Sequence, residues 1–178
     1  MRNSQTFVVG LISLSLASAA GAQPPSNPGT LAKVNVVATR AHARTWRPDA
    51  VLFQIRAGIV SDGTAHWEYD YMSPTKPGRC IIVGVAKGKV VSAPEDSCDT
   101  STEKAITDFT IDSDQAVQIA RKAGLASPKL KMGLMWGGSG GSGKLVWLVM
   151  ENSGMNKGDQ IVDIDAMTGA VANKSRTP

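Results

Sequence analysis

Seven residues, Gly138-Ser-Gly-Gly-Ser-Gly-Lys144, come nearest to a recognisable chemical motif, the glycine-rich loop that wraps phosphates. That loop needs Ser or Thr after its lysine to hold magnesium, and Leu145 stands there instead. The lysine also leads into an apolar, strand-like run rather than a helix, so the segment reads as a flexible hairpin loop. Nucleophilic catalysis is equally short of parts. The chain has no G-x-S-x-G elbow and only two histidines, His42 and His66. A triad can still assemble in space, with His66 and a nearby serine or carboxylate, although a solvated histidine at a strand end is the simpler reading. Glu68, Asp70, Asp163 and Asp165 could pair as glycosidase-type acids, but alternation puts them on the polar faces of strands. Asp159, Asp163 and Asp165 lack the spacing and final glutamate of a calcium-binding loop. No metal site and no cofactor is expected.

The two cysteines, Cys80 and Cys98, carry a different message. Arg2, the apolar run from Phe7 to Ala20 and the small-residue site Ala20-Gly21-Ala22 read as a secretory signal over residues 1–22. The run is about 14 residues, too short for a bilayer span. No later segment is apolar enough to cross a membrane, and no lipobox cysteine sits near the cleavage point, so a periplasmic or secreted, freely soluble product is expected. In such an oxidising compartment Cys80 and Cys98 should pair. Closing their loop is worth roughly 3 kcal/mol in the chain-entropy model. The formal charge of +4, spread over 178 residues, is too mild and too scattered to argue for nucleic acid.

The elements that must position these residues follow a pattern. Gln23 to Thr30 is a Pro/Ser/Asn/Gly leader, and residues 31–44 are ambiguous between helix and strand, so 23–44 forms a leader with an undefined first element. Residues 47–58 and 113–124 share Ala-Val and Ala-Gly pairs at an offset of 66, and both carry helix signals. Pro48 suits a first helical position, Asp112 or Ser113 suits a cap, and Gly58 and Gly124 suit helix ends. Beyond the glycine-rich segment the offset becomes 80: Trp67 meets Trp147, Ile82 meets Val162 and Val91 meets Val171. Each half then reads as a helix followed by antiparallel strands. The fold class expected is α+β, as two helix-plus-antiparallel-sheet repeats over 45–100 and 101–178.

The second half resembles a PepSY domain. The resemblance rests on the helix around Ala116-Val-Gln-Ile-Ala120, the strand pair around Leu145 to Glu151, and the ending Ile161-Val-Asp-Ile-Asp-Ala-Met-Thr-Gly-Ala-Val171. It covers residues 110 to 173, and more faintly 45 to 92, where Gly88 stands in place of Thr168. Asp165, Thr168 and Gly169 suit a tight turn that ends one strand and starts another. The resemblance implies a non-catalytic exported module that binds or modulates an envelope or extracellular partner, a peptidase among them.

Trp67, Tyr69 and Tyr71 remain as the candidate binding surface. They lie within five residues on one face of a strand. Two readings stay open: a core stripe, or an exposed platform for a peptide or glycan. The function expected is partner binding without catalysis. The alternative is a small envelope hydrolase using His66.

Overall fold

The computed structural model describes residues 29–141, 143–152 and 158–177. The expected signal over residues 1–22 lies outside them. The chain runs through a short 3-10 turn, Ala32–Asn35, into α1, Val36–Trp46. Strands β1 (Val51–Val60), β2 (Glu68–Met72), β3 (Arg79–Ala86), β4 (Lys89–Ser92) and the two-residue β5 (Asp96–Ser97) follow. After them come α2 (Ser113–Lys122) and strands β6 (Leu130–Trp136), β7 (Leu145–Glu151), β8 (Gln160–Asp165) and β9 (Val171–Arg176). The architecture is α+β. All the strands join one antiparallel sheet in the order β4-β3-β2-β1-β6-β7-β8-β9, with β5 paired to the start of β3. The sheet is continuous, so the two expected units are not two separate sheets.

The helix expected over 47–58 does not form there. Val51-Leu-Phe-Gln-Ile-Arg-Ala57 belongs to β1, and the helix lies just upstream, in the stretch that read as ambiguous. Pro48 sits in the turn between them and Gly58 lies inside the strand. β-Branched and aromatic side chains facing a sheet partner outweigh an Ala-Val/Ala-Gly match between distant segments. The second helix is where the sequence puts it. Asp112 caps α2 by accepting from the Ser113 N–H, and Gln115 returns the favour by accepting from the Asp112 N–H at 3.0 Å.

Residue equivalence between the halves also shifts. Val83 stands opposite Tyr69, as Val162 stands opposite Val149. Ile82 instead stands opposite Asp70, on the other face of the sheet, so Ile82 and Val162 point opposite ways. A one-residue change of register inverts every side chain of a strand.

The core fills the face that both helices cover. Trp147 is fully buried at its centre, edge-on to Trp67 at 5.8 Å and to Phe109 at 5.9 Å between ring centroids. The N-terminus of α2 is tied to the first half: Ser113 Oγ donates to Gly63 O at 2.6 Å and accepts from Ala32 N–H at 3.1 Å. The opposite face of the sheet carries no helix among the described residues.

Candidate functional site

Trp67, Tyr69 and Tyr71 are core residues, which corrects the platform reading. Their exposures are 4%, 0% and 0%. Each buried polar tip has a partner inside the protein. Trp67 Nε1 donates to Thr30 O at 2.7 Å, Tyr69 Oη donates to Ala32 O at 2.7 Å, and Tyr71 Oη lies 2.9 Å from Thr39 Oγ1. The stripe holds the 3-10 turn and α1 onto the sheet and offers nothing to a partner.

Asp165, Thr168 and Gly169 do form the expected turn. Asp165 Oδ1 accepts from the N–H groups of Met167 and Thr168 at 2.9 and 3.0 Å, and Lys144 Nζ lies 3.3 Å from Oδ2. Burial pushes this carboxyl up, but those two N–H bonds and Lys144 outweigh it and hold it below the ordinary carboxylate range. Gly169 takes φ +76°, and a Cβ there would lie 3.2 Å from Ile119 Cδ1 and 3.3 Å from Ile111 Cδ1. The turn is therefore packed against α2 and its lead-in, and its work is structural.

The near-phosphate loop is occupied by the protein's own acid. Ser139 Oγ donates to Asp163 Oδ2 at 2.8 Å and Gly140 N–H to the same oxygen at 3.1 Å, while Lys144 turns to Asp165. A Cβ at Gly138 would lie 2.5 Å from Val146 Cγ2 and 2.8 Å from Asp163 Oδ2, so glycine lets the hairpin lie flat on the sheet. An incoming phosphate would meet a carboxylate here.

His66 is exposed at the rim of a small hollow lined by Thr30, Asn35, Ala65, Trp67, Val85 and Gly88, with neither a carboxylate nor a serine in that lining. The histidine that meets a serine is His42, whose Nε2 lies 3.1 Å from Ser92 Oγ at the edge of the sheet.

A broad concavity lies on the helix-free face, and neither sequence pattern nor motif pointed to it. It encloses about 710 Å³ between β1, β2 and β3 on one side and the segment Ala93–Asp99 with Glu103 on the other. A bulge between Leu52 and Gln54 interrupts the β1–β2 register, and Phe53 and Gln54 both reach the cavity. The Cys80–Cys98 disulfide, with Cα atoms 6.1 Å apart, holds the covering segment over β3. Glu95 anchors that segment by accepting from Arg79 at 2.6 Å and Arg47 at 3.1 Å. At the floor Asp70, 6% exposed, accepts from Arg56 Nε at 3.0 Å through Oδ2. Burial pushes its carboxyl up to about 6, against the pull of Arg56 and with a further push from Glu68. Burial and neighbouring Asp99 push Glu103 up as well. The arrangement is an acidic hollow with apolar side chains, Phe53, Ile82 and Pro94, among the carboxylates. No nucleophile and base are paired in it.

No known family model matches the chain, and no curated protein matches it. Among solved structures, a candidate lipoprotein of Clostridium difficile 630 is similar, with a TM-score of 0.54 and 10% identity over 78% of this chain and 90% of that one. At this identity the likeness concerns the fold.

Proposed function

We propose that this chain is an exported PepSY-like module that binds or modulates a protein or peptide partner of the envelope or extracellular space, a peptidase among the candidates, and does no chemistry on it. The cavity on the helix-free face carries this reading, because it is a concave surface pinned by a disulfide and left uncovered by either helix. The strand order supports a duplicated unit: it mirrors about the β1–β6 pair, with one helix over each half. The Asp165–Gly169 turn has the geometry that the resemblance implies for the second unit. Export is supported by the signal-like start, by the disulfide and by the lipoprotein description of the similar structure.

A photo-crosslinking residue placed at Gln54, in the cavity, and at exposed Val37, on the outer face of α1, tests the reading against an envelope extract of the producing cells. A partner captured from position 54 and not from 37 is the expected result. The same preparation should leave peptide, ester and glycoside panels unturned. Turnover that disappears on His66→Ala or His42→Ala would replace this reading with the hydrolase.

A further inference from the structure

The outward side of α1 has a composition that the core does not account for. Residues 31–47 contain Lys33, Arg40, Arg44 and Arg47 and no acid. Val36, Thr39 and Ala43 face the sheet and are buried. On the other side Val37, Ala41 and Arg44 follow one another at helical spacing, with Val34 just ahead in the 3-10 turn. Val37 is 80% exposed and Val34 62%. A single exposed aliphatic needs no explanation, but two on one helix face bordered by cations make an amphipathic surface turned outward.

The cations along this surface are left over after the protein's own pairing. Lys33 meets Asp108 and Arg47 meets Glu95, whereas Arg40, Arg44 and Lys104 make no salt bridge among the described residues. Arg40 and Arg44 border a small hollow against Ala105, Ile106 and Thr107. Thr107 also borders the adjoining hollow of Trp136 and Met167, where Lys104 Nζ lies 5.4 Å from the Trp136 ring and Met167 is 49% exposed. Cationic and apolar side chains therefore continue from α1 across the segment that follows the first half. Asp96, Asp99 and Glu103, which also make no salt bridge among the described residues, line the cavity on the helix-free face instead. Unmatched charge of opposite sign thus lies on opposite sides of the sheet.

We propose that the outward side of α1 docks on an anionic phospholipid bilayer, with Arg40, Arg44 and Lys104 against headgroup phosphates and Val34 and Val37 at the acyl boundary. Charge complementarity selects an anionic partner, and the two valines select a lipid surface over a wholly polar polyanion. The contact is peripheral, since no helix among the described residues is long and apolar enough to cross a membrane. The cavity lies on the other face, so a docked molecule keeps it open to the aqueous side.

The test floats the protein, recovered after export, with vesicles of phosphatidylcholine alone or of phosphatidylcholine with an equal part of phosphatidylglycerol. Each unmatched cation near an anionic surface strengthens binding about fivefold, so Arg40, Arg44 and Lys104 together should favour the anionic vesicles about a hundredfold. Binding should be lost between about 0.01 M and about 1 M salt, as the screening length falls from about 30 Å to about 3 Å. Arg44→Gln combined with Lys104→Gln, both at exposed positions, should weaken binding about twentyfold with thermal melting unchanged. Val34→Ser combined with Val37→Ser should weaken it about fivefold, through lost apolar burial. A polarity-sensitive fluorophore should shift to the blue at position 37 and not at position 91, whose valine stands opposite Gly84 on the other side of the sheet. Equal binding to the two vesicle types, no binding to the anionic ones at low salt, or unchanged affinity in both paired variants would overturn the proposal. So would soluble polyglutamate binding as tightly as the anionic vesicles while the valine variants have no effect, a result that assigns the surface to an acidic protein. The crosslink at position 54 is read separately, so failure here leaves the binding role of the cavity standing.

Discussion

Asp70 shows how one residue's surroundings set its behaviour. Folded, its carboxyl titrates near 6, and the unfolded chain keeps the ordinary value of 3.8. Between those values the folded form keeps a proton that the unfolded form has released, so the fold gains stability as pH falls through this window and loses it as pH rises. The difference is worth about 3 kcal/mol. Asp70→Asn should flatten the stability-against-pH curve between pH 4 and 6, as urea midpoints at several pH values would show; an unchanged slope would mean that Asp70 is not the group responsible. The aromatic stripe teaches a different lesson. Alternation in the sequence put Trp67, Tyr69 and Tyr71 on one face, and they are on one face. Which side of the sheet the helices cover depends on how α1 returns over β2, and no local pattern records that. Truncating Trp67 or Tyr69 to alanine should cost about 3–5 kcal/mol in chemical denaturation. Tyr69→Phe, losing only the bond to Ala32 O, should cost about 1 kcal/mol.

At the scale of elements, legibility followed the strength of the local signal. The second helix announced itself through Asp112 and Ser113 at its start and Gly124 just past its end. The Asp165 turn did so through an acid that can accept N–H groups two and three residues ahead and a glycine free to take positive φ. Residues 36–46 carried no comparable cap: Asn35 makes no side-chain capping bond, and no acid lies in the first turn of α1. That helix is held by Thr39, Ala43 and their contacts with the sheet, which are tertiary facts. The cavity was hidden for the same reason, since its walls come from β1, β2, β3 and a segment some forty residues beyond β1, joined only in space. The turn gives a sharp prediction. Gly169→Ala must adopt φ near +76° and press a methyl on Ile111 and Ile119, at a cost of about 1–2 kcal/mol. Asp165→Ala should cost a similar amount by freeing two N–H groups and Lys144. A thermal shift of either variant within error of the parent would deny the turn its structural role.

The whole molecule is organised around a pair of strands that are distant in sequence. β1 and β6 meet at the middle of the sheet, with Ile55 opposite Leu134 and Ala57 opposite Met132. The chain travels between the halves through residues 98–112, part of which, around Ser101 and Thr102, is exposed. Hydrophobic burial across the middle, the Trp67–Trp147 contact and the Ser113 bonds to Gly63 and Ala32 all join the halves independently of that connection.

Continuity of the backbone is therefore dispensable for cohesion once folding is complete. A single protease cut after exposed Lys104 would leave the hydrogen-bonded seam between β1 and β6 intact, and Cys80–Cys98 would retain the new end of the upstream piece. The nicked protein should travel as one particle in size exclusion and fall into two pieces on a denaturing gel even without reductant, because the disulfide lies wholly within the upstream piece. Pieces that part under native conditions would show that the connecting segment, and not the seam, keeps the molecule whole. In a compartment where proteases are abundant, such a molecule survives an injury to its chain with its surface unchanged.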